Sequence, residues 1–136
     1  MTAAPALARR LAHAAGPVLA LAAALAFAQP APADYAQARQ RADADEASLD
    51  PATAATLRDA QSRVLDAAIA ACATPAADTS PFVVVAELDA GGTAARTWRE
   101  GATPLAICVQ KQIAGKPLAA PPRAPFFVSF ELSFTP

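Results

Sequence analysis

Phe126-Phe-Val-Ser-Phe-Glu-Leu-Ser-Phe134 sets Phe126, Val128, Phe130, Leu132 and Phe134 against Phe127, Ser129, Glu131 and Ser133. That is the period of two required of a strand with one face buried. Working back from it, Pro117, Pro121, Pro122 and Pro125 force an extended approach. Before them, Thr103-Pro104 opens a helix through Leu105, Cys108, Val109 and Ile113, with Gly115 placed to close it. Further back, Pro81-Phe-Val-Val-Val-Ala-Glu-Leu88 and Thr93-Ala-Ala-Arg-Thr-Trp-Arg99 read as strands joined by Asp89-Ala-Gly-Gly92. Setting Leu88 opposite Thr93 places Ala86 against Ala95 and Val84 against Thr97. Val83, Val85, Arg96 and Trp98 then share the reverse face, and a slip of one residue would exchange the faces.

Two helices precede this unit. Asp50-Pro51 is an N-cap carboxylate followed by proline at the first helical position. The helix it starts runs to about Ala73 and carries Leu57, Val64, Leu65, Ala68, Ile69 and Cys72 on one stripe. Pro75 stops it. Upstream, Tyr35, Ala38, Ala42 and Leu49 keep helical spacing around a polar face of Gln37, Arg39, Arg41, Asp43 and Glu46, the alternative being a frayed arm. The expected fold is α+β, with N-terminal helices packed on a three-stranded antiparallel sheet in the order α-α-β-β-α-β.

The first 28 residues read as a signal peptide. Arg9 and Arg10 give the positive start, residues 11–25 the apolar stretch, and Ala26-Phe27-Ala28 the cleavage site. An uncleaved membrane anchor is the competing reading, although His13, Gly16 and Pro17 interrupt the run. Residues 29–49 are then a linker and short helix, and residues 50–136 a single domain. Two of the eleven basic residues and none of the twelve acidic ones lie in the leader, which takes the net charge from −1 to −3 on cleavage. With no run of like charge, nucleic acid is a poor partner. His13, the only histidine, would leave with the leader. Its loss removes triad chemistry and the usual zinc sites from consideration.

Cys72 and Cys108 are the only cysteines. In an oxidising compartment, two cysteines on the core faces of neighbouring helices are expected to pair, against the alternative of buried thiols. Such a bridge would contribute about 3–4 kcal/mol. No other group of residues carries chemistry, so no enzyme activity, metal or cofactor is expected. Asp43, Asp45 and Glu46 sit on a solvated helix face, and Glu131 stands between Ser129 and Ser133 without a paired acid or base. Trp98 supports two readings. With Val83, Val85 and Phe127, flanked by Arg96 and Arg99, it suits a partner-binding patch. Alternatively, the N-terminal segment with Tyr35 and Leu49 folds over it.

The order of strand, Asp-x-Gly-Gly turn, strand, helix, Pro-Pro connection and aromatic strand resembles the carboxy-terminal domain of TonB-like energy transducers. Leu88-Asp-Ala-Gly-Gly92, Ala106-Ile-Cys-Val-Gln110 and Pro121-Pro-Arg-Ala-Pro-Phe126 carry the resemblance, which covers about residues 82–136. It implies a periplasmic domain that takes extended peptides along the edge of the last strand, here Phe126 to Phe134; the expected partner-binding residues are Phe127, Val128, Ser129, Phe130 and Glu131 on that strand, together with Arg96 and Trp98 of the patch. The long proline-rich linker and retained anchor of an energy transducer have no counterpart beyond a short Pro/Ala stub. The expected function is therefore an exported, non-enzymatic peptide- or protein-binding module of the periplasm or cell envelope. A membrane-anchored transducer and a small secreted inhibitor stand as alternatives, and the membrane is a partner only if the leader is retained.

Overall fold

The computed structural model describes residues 29–135. The expected leader, with its cleavage site and His13, lies outside the described residues. From Ala31 onward the chain forms one compact unit. Its elements are α1 (Tyr35–Ala47), α2 (Pro51–Cys72), β1 (Phe82–Leu88), β2 (Ala94–Glu100), α3 (Pro104–Ile113) and β3 (Phe126–Leu132), the order expected from sequence. The helix starts are set locally. The Asp50 carboxylate accepts the backbone N–H groups of Ala52 and Thr53, both at 3.0 Å, and the Thr103 hydroxyl accepts that of Ala106 at 3.1 Å. Each satisfies donors that a helix leaves unpaired in its first turn.

The sheet is antiparallel in the order β2-β1-β3. Phe82, Val84, Ala86 and Leu88 pair with Leu132, Phe130, Val128 and Phe126. Together they form one apolar face, buried under Leu57 and Ala68 of α2 and Leu105, Ala106, Val109 and Ile113 of α3. The Cys72–Cys108 disulfide fastens α2 to α3, with the two Cα atoms 5.8 Å apart.

The second face is covered as well. Val85 and Phe127 form a smaller core with Ala38 and Ala42 of α1, and Tyr35, Val83 and Trp98 pack around it. The two alanines are completely buried, and their small side chains let the α1 backbone approach the sheet closely. β3 is thus sheltered on both faces through Phe126, Phe127 and Val128, which the alternating pattern did not announce. α1 thus packs as a layer on this face of the sheet, within the compact unit that begins at Ala31.

The hairpin register differs from the expected one. Leu88 pairs with Ala94, Ala86 with Thr97 and Val84 with Arg99, with an irregularity at Ala95. The turn is held by the Asp89 carboxylate, which accepts the N–H groups of Gly91 at 3.0 Å and Thr93 at 2.9 Å. Gly92 has a φ of +86°, and a Cβ there would lie 2.4 Å from the Ala119 carbonyl oxygen, so both conformation and space require glycine. From Ala95 on the shift amounts to two residues, which preserves the faces: Val83, Val85, Arg96 and Trp98 do share the reverse side.

Candidate functional site

The sheet has two edges, and the chain treats them differently. Along β3, alternate backbone groups turn away from β1. The Phe127 N–H donates to Asp45 Oδ2 at 2.8 Å, and the Ser129 N–H donates to Glu46 Oε1 at 3.3 Å. The Ser129 hydroxyl donates to Glu46 Oε2 at 2.9 Å, and the Ser129 carbonyl accepts from Gln61 Nε2 at 3.0 Å. Two helices therefore satisfy, with side chains, three of the four outward groups of Phe127 and Ser129 that a neighbouring strand would otherwise take, while no hydrogen bond from a described residue reaches those of Glu131 at the end of the edge. The Arg123 guanidinium reaches Asp45 Oδ1 at 2.5 Å and lies 5.0 Å above the Phe126 ring.

Asp45 and Glu46 are thus not on a solvated face. Their carboxylates form the closure of β3, while Asp43 pairs with Arg39 at 2.9 Å. Glu131 is not without a partner either, since Arg39 donates to its carboxylate. Partial burial would make Arg39 less basic, but the bond and charge of Glu131, with help from Asp43, hold its pKa above the ordinary value. Among the described residues, no three His, Cys, Asp or Glu side chains stand close enough together to hold a metal ion.

The residues singled out from sequence do not form one surface. Val128 and Phe130 belong to the main core, and Phe127 is buried beneath α1. Trp98 is half-buried against Phe127, with ring centroids 5.9 Å apart, and the Arg96 guanidinium lies 5.5 Å from its ring. The folded-over reading of Trp98 holds for its inner part through α1 and Tyr35, whereas Leu49 packs on the other core. Arg96 and Glu131 remain on the surface as members of ion pairs, Arg96 with Glu87 at 2.5 Å.

β2 presents the opposite edge. Its start is paired, because the Ala94 N–H donates to the Lys116 carbonyl at 3.0 Å and its carbonyl accepts from Gly115 at 2.8 Å. Past Ala95 the antiparallel alternation directs the backbone groups of Arg96, Trp98 and Glu100 toward β1, and those of Thr97 and Arg99 outward. No hydrogen bond from a described residue reaches the outward N–H and C=O groups of Thr97 and Arg99. Their side chains are fixed from one face by Gln110 of α3, which accepts from Arg99 Nε at 3.0 Å and donates to Thr97 Oγ1 at 3.2 Å. On the other face, Tyr35 stands beside Glu100; burial first and the Glu100 charge second raise the Tyr35 pKa above its ordinary value. Arg99 was singled out from sequence only as a flank of the Trp98 patch; that Thr97 and Arg99 turn their backbone groups outward was not legible, because it depends on the irregularity at Ala95.

A surface groove of about 320 Å³ runs between α2 and the end of α3, floored by Val64, Ala68 and Leu118 with Arg63 and Lys116 at its rim. Among the described residues no helix is long and apolar enough to cross a membrane. Comparison of the chain with protein-family models, with curated proteins and with solved structures gives no match.

Proposed function

We propose that this chain is an exported, non-enzymatic protein-binding module of the periplasm or cell envelope, which takes an extended segment of its partner by strand addition along β2. The observation that carries this reading is the asymmetry of the sheet. One edge is covered at Phe127 and Ser129 by Asp45, Glu46 and Gln61, whereas at the other no hydrogen bond from a described residue reaches the outward backbone groups of Thr97 and Arg99. An unpaired strand edge is a template for another strand, and peptide recognition by β-augmentation uses such an edge. Export is supported by the leader-like first 28 residues and by the Cys72–Cys108 bridge, a bond that persists in oxidising compartments.

The resemblance to TonB-like domains agrees with the order of elements and points to strand addition, but at the β3 edge. A peptide could pair with Phe127 and Ser129 there only after displacing Asp45, Glu46 and Gln61, so the β2 edge is the better candidate. The test is affinity capture from a periplasmic extract with the wild-type domain and with Thr97→Pro. This substitution deletes one outward N–H from an edge strand, where proline is tolerated. Capture by wild type and its loss in Thr97→Pro is the expected result. Equal capture by both proteins would refute strand addition at β2.

A further inference from the structure

We infer that the strand added to β2 is β2 of a second copy of this chain, paired antiparallel about a twofold axis at Trp98. The inference rests on the strand-addition reading above and names the partner. Among the described residues, only Thr97 and Arg99 offer outward N–H and C=O groups on the part of the β2 edge that no hydrogen bond reaches. An axis at Trp98 sets Thr97 opposite Arg99 of the second copy and Arg99 opposite its Thr97, so every outward group of both strands is used.

The neighbouring registers do worse. An axis at Thr97 would bring Glu100 opposite Ala94, whose backbone is already bonded to Gly115 and Lys116. An axis at Arg99 would set two like charges directly opposite each other, which destabilises a strand pair. An axis between residues would match outward groups with inward ones.

The register centred on Trp98 is also matched in charge. It places Arg96 opposite Glu100 of the second copy, twice by symmetry, on the face that carries Trp98. Both side chains are exposed in the single chain, so Arg96 would share its guanidinium between Glu87 of its own chain and Glu100 of the second copy. Exposed pairs of this kind add little affinity but fix register. The free segment is short, bounded by the irregularity at Ala95 and by Gly101, whose φ is +106°. The contact therefore falls in the small, weak class of interfaces.

Sedimentation equilibrium from micromolar to millimolar concentration tests this, with Trp98 fluorescence and near-ultraviolet circular dichroism confirming that each variant is folded. Wild type should dimerise, and Thr97→Pro should remain monomeric. Arg96→Glu and Glu100→Arg alone should each weaken association severalfold, and the double reversal should restore it to within about twofold of wild type. A double reversal no better than the single variants overturns the register. A wild type that stays monomeric at the highest concentration overturns self-pairing. If that monomer still captures a different protein in a Thr97-dependent way, the strand-addition reading stands without it. A dimer indifferent to Thr97→Pro overturns self-pairing through β2.

Discussion

Replacing Asp45 by alanine tests the closure of β3 directly. The carboxylate takes the Phe127 N–H at 2.8 Å and the Arg123 guanidinium at 2.5 Å, and its side chain is only 16% exposed. Leaving an N–H unsatisfied in a half-buried setting costs about 1–3 kcal/mol. The lost ion pair adds at most about 1 kcal/mol, because the Arg123 side chain is half exposed. The expected destabilisation is therefore about 2–3 kcal/mol, and Asp45→Asn, which keeps an oxygen acceptor but not the charge, should lose roughly half of that. Urea unfolding followed by Trp98 fluorescence measures it well, since Trp98 is the only tryptophan and packs in the small core with α1. If Asp45→Ala lies within about 0.5 kcal/mol of wild type, water serves the Phe127 N–H as well as the carboxylate does, and the two edges are not different in the sense argued above.

Two further outcomes are expected. Cys72 and Cys108 are 36 residues apart, and replacing both by alanine should cost on the order of 4 kcal/mol by loop-closure entropy; a midpoint of urea unfolding unchanged from wild type would refute this. Tyr35 is the only tyrosine, so its ionisation can be followed by ultraviolet absorbance without interference. Burial and Glu100 raise its pKa above 10.0, so its contribution to stability is full below the unfolded pKa and is lost as pH rises through the higher folded value. A midpoint at or below that of free tyrosine would mean that α1 does not hold Tyr35 against Glu100.

The sequence was most informative where structure is decided within a few residues. Asp50-Pro51 and Thr103-Pro104 each place a side-chain acceptor next to a residue that needs no helical N–H, and both helices start there. The stripe from Leu57 to Cys72 needed a sheet, and it found one together with the partner for its cysteine. The hairpin register was not legible, because Ala94 is drawn toward Gly115 and Lys116, residues beyond α3, and the strand bulges to keep its faces. Nor was the role of α1. Apart from Ala38 and Ala42, the helix is held by Arg39, Asp45 and Glu46, which bind partners more than eighty positions away. A polar residue on a helix looks solvated until the strand that will claim it is known. The alternation in β3 identified a strand but not its second covering, because Phe127, on the supposedly wet side, meets a helix whose contact surface is two alanines.

The strand order has a consequence for how the molecule is assembled. β1 lies in the middle, yet its second neighbour is encoded after α3 and the proline-rich connection. A growing chain that has emerged as far as Ile113 can form the hairpin and pair its thiols, but one side of β1 and the apolar faces of α2 and α3 still lack Phe126, Val128, Phe130 and Leu132. Such an intermediate is sticky by construction, with a bare strand and a greasy surface exposed together. A stop codon or a protease cut just ahead of Phe126 would fix the protein in that state. The final stretch is thus the keystone of biogenesis, and truncated forms are expected in the insoluble fraction.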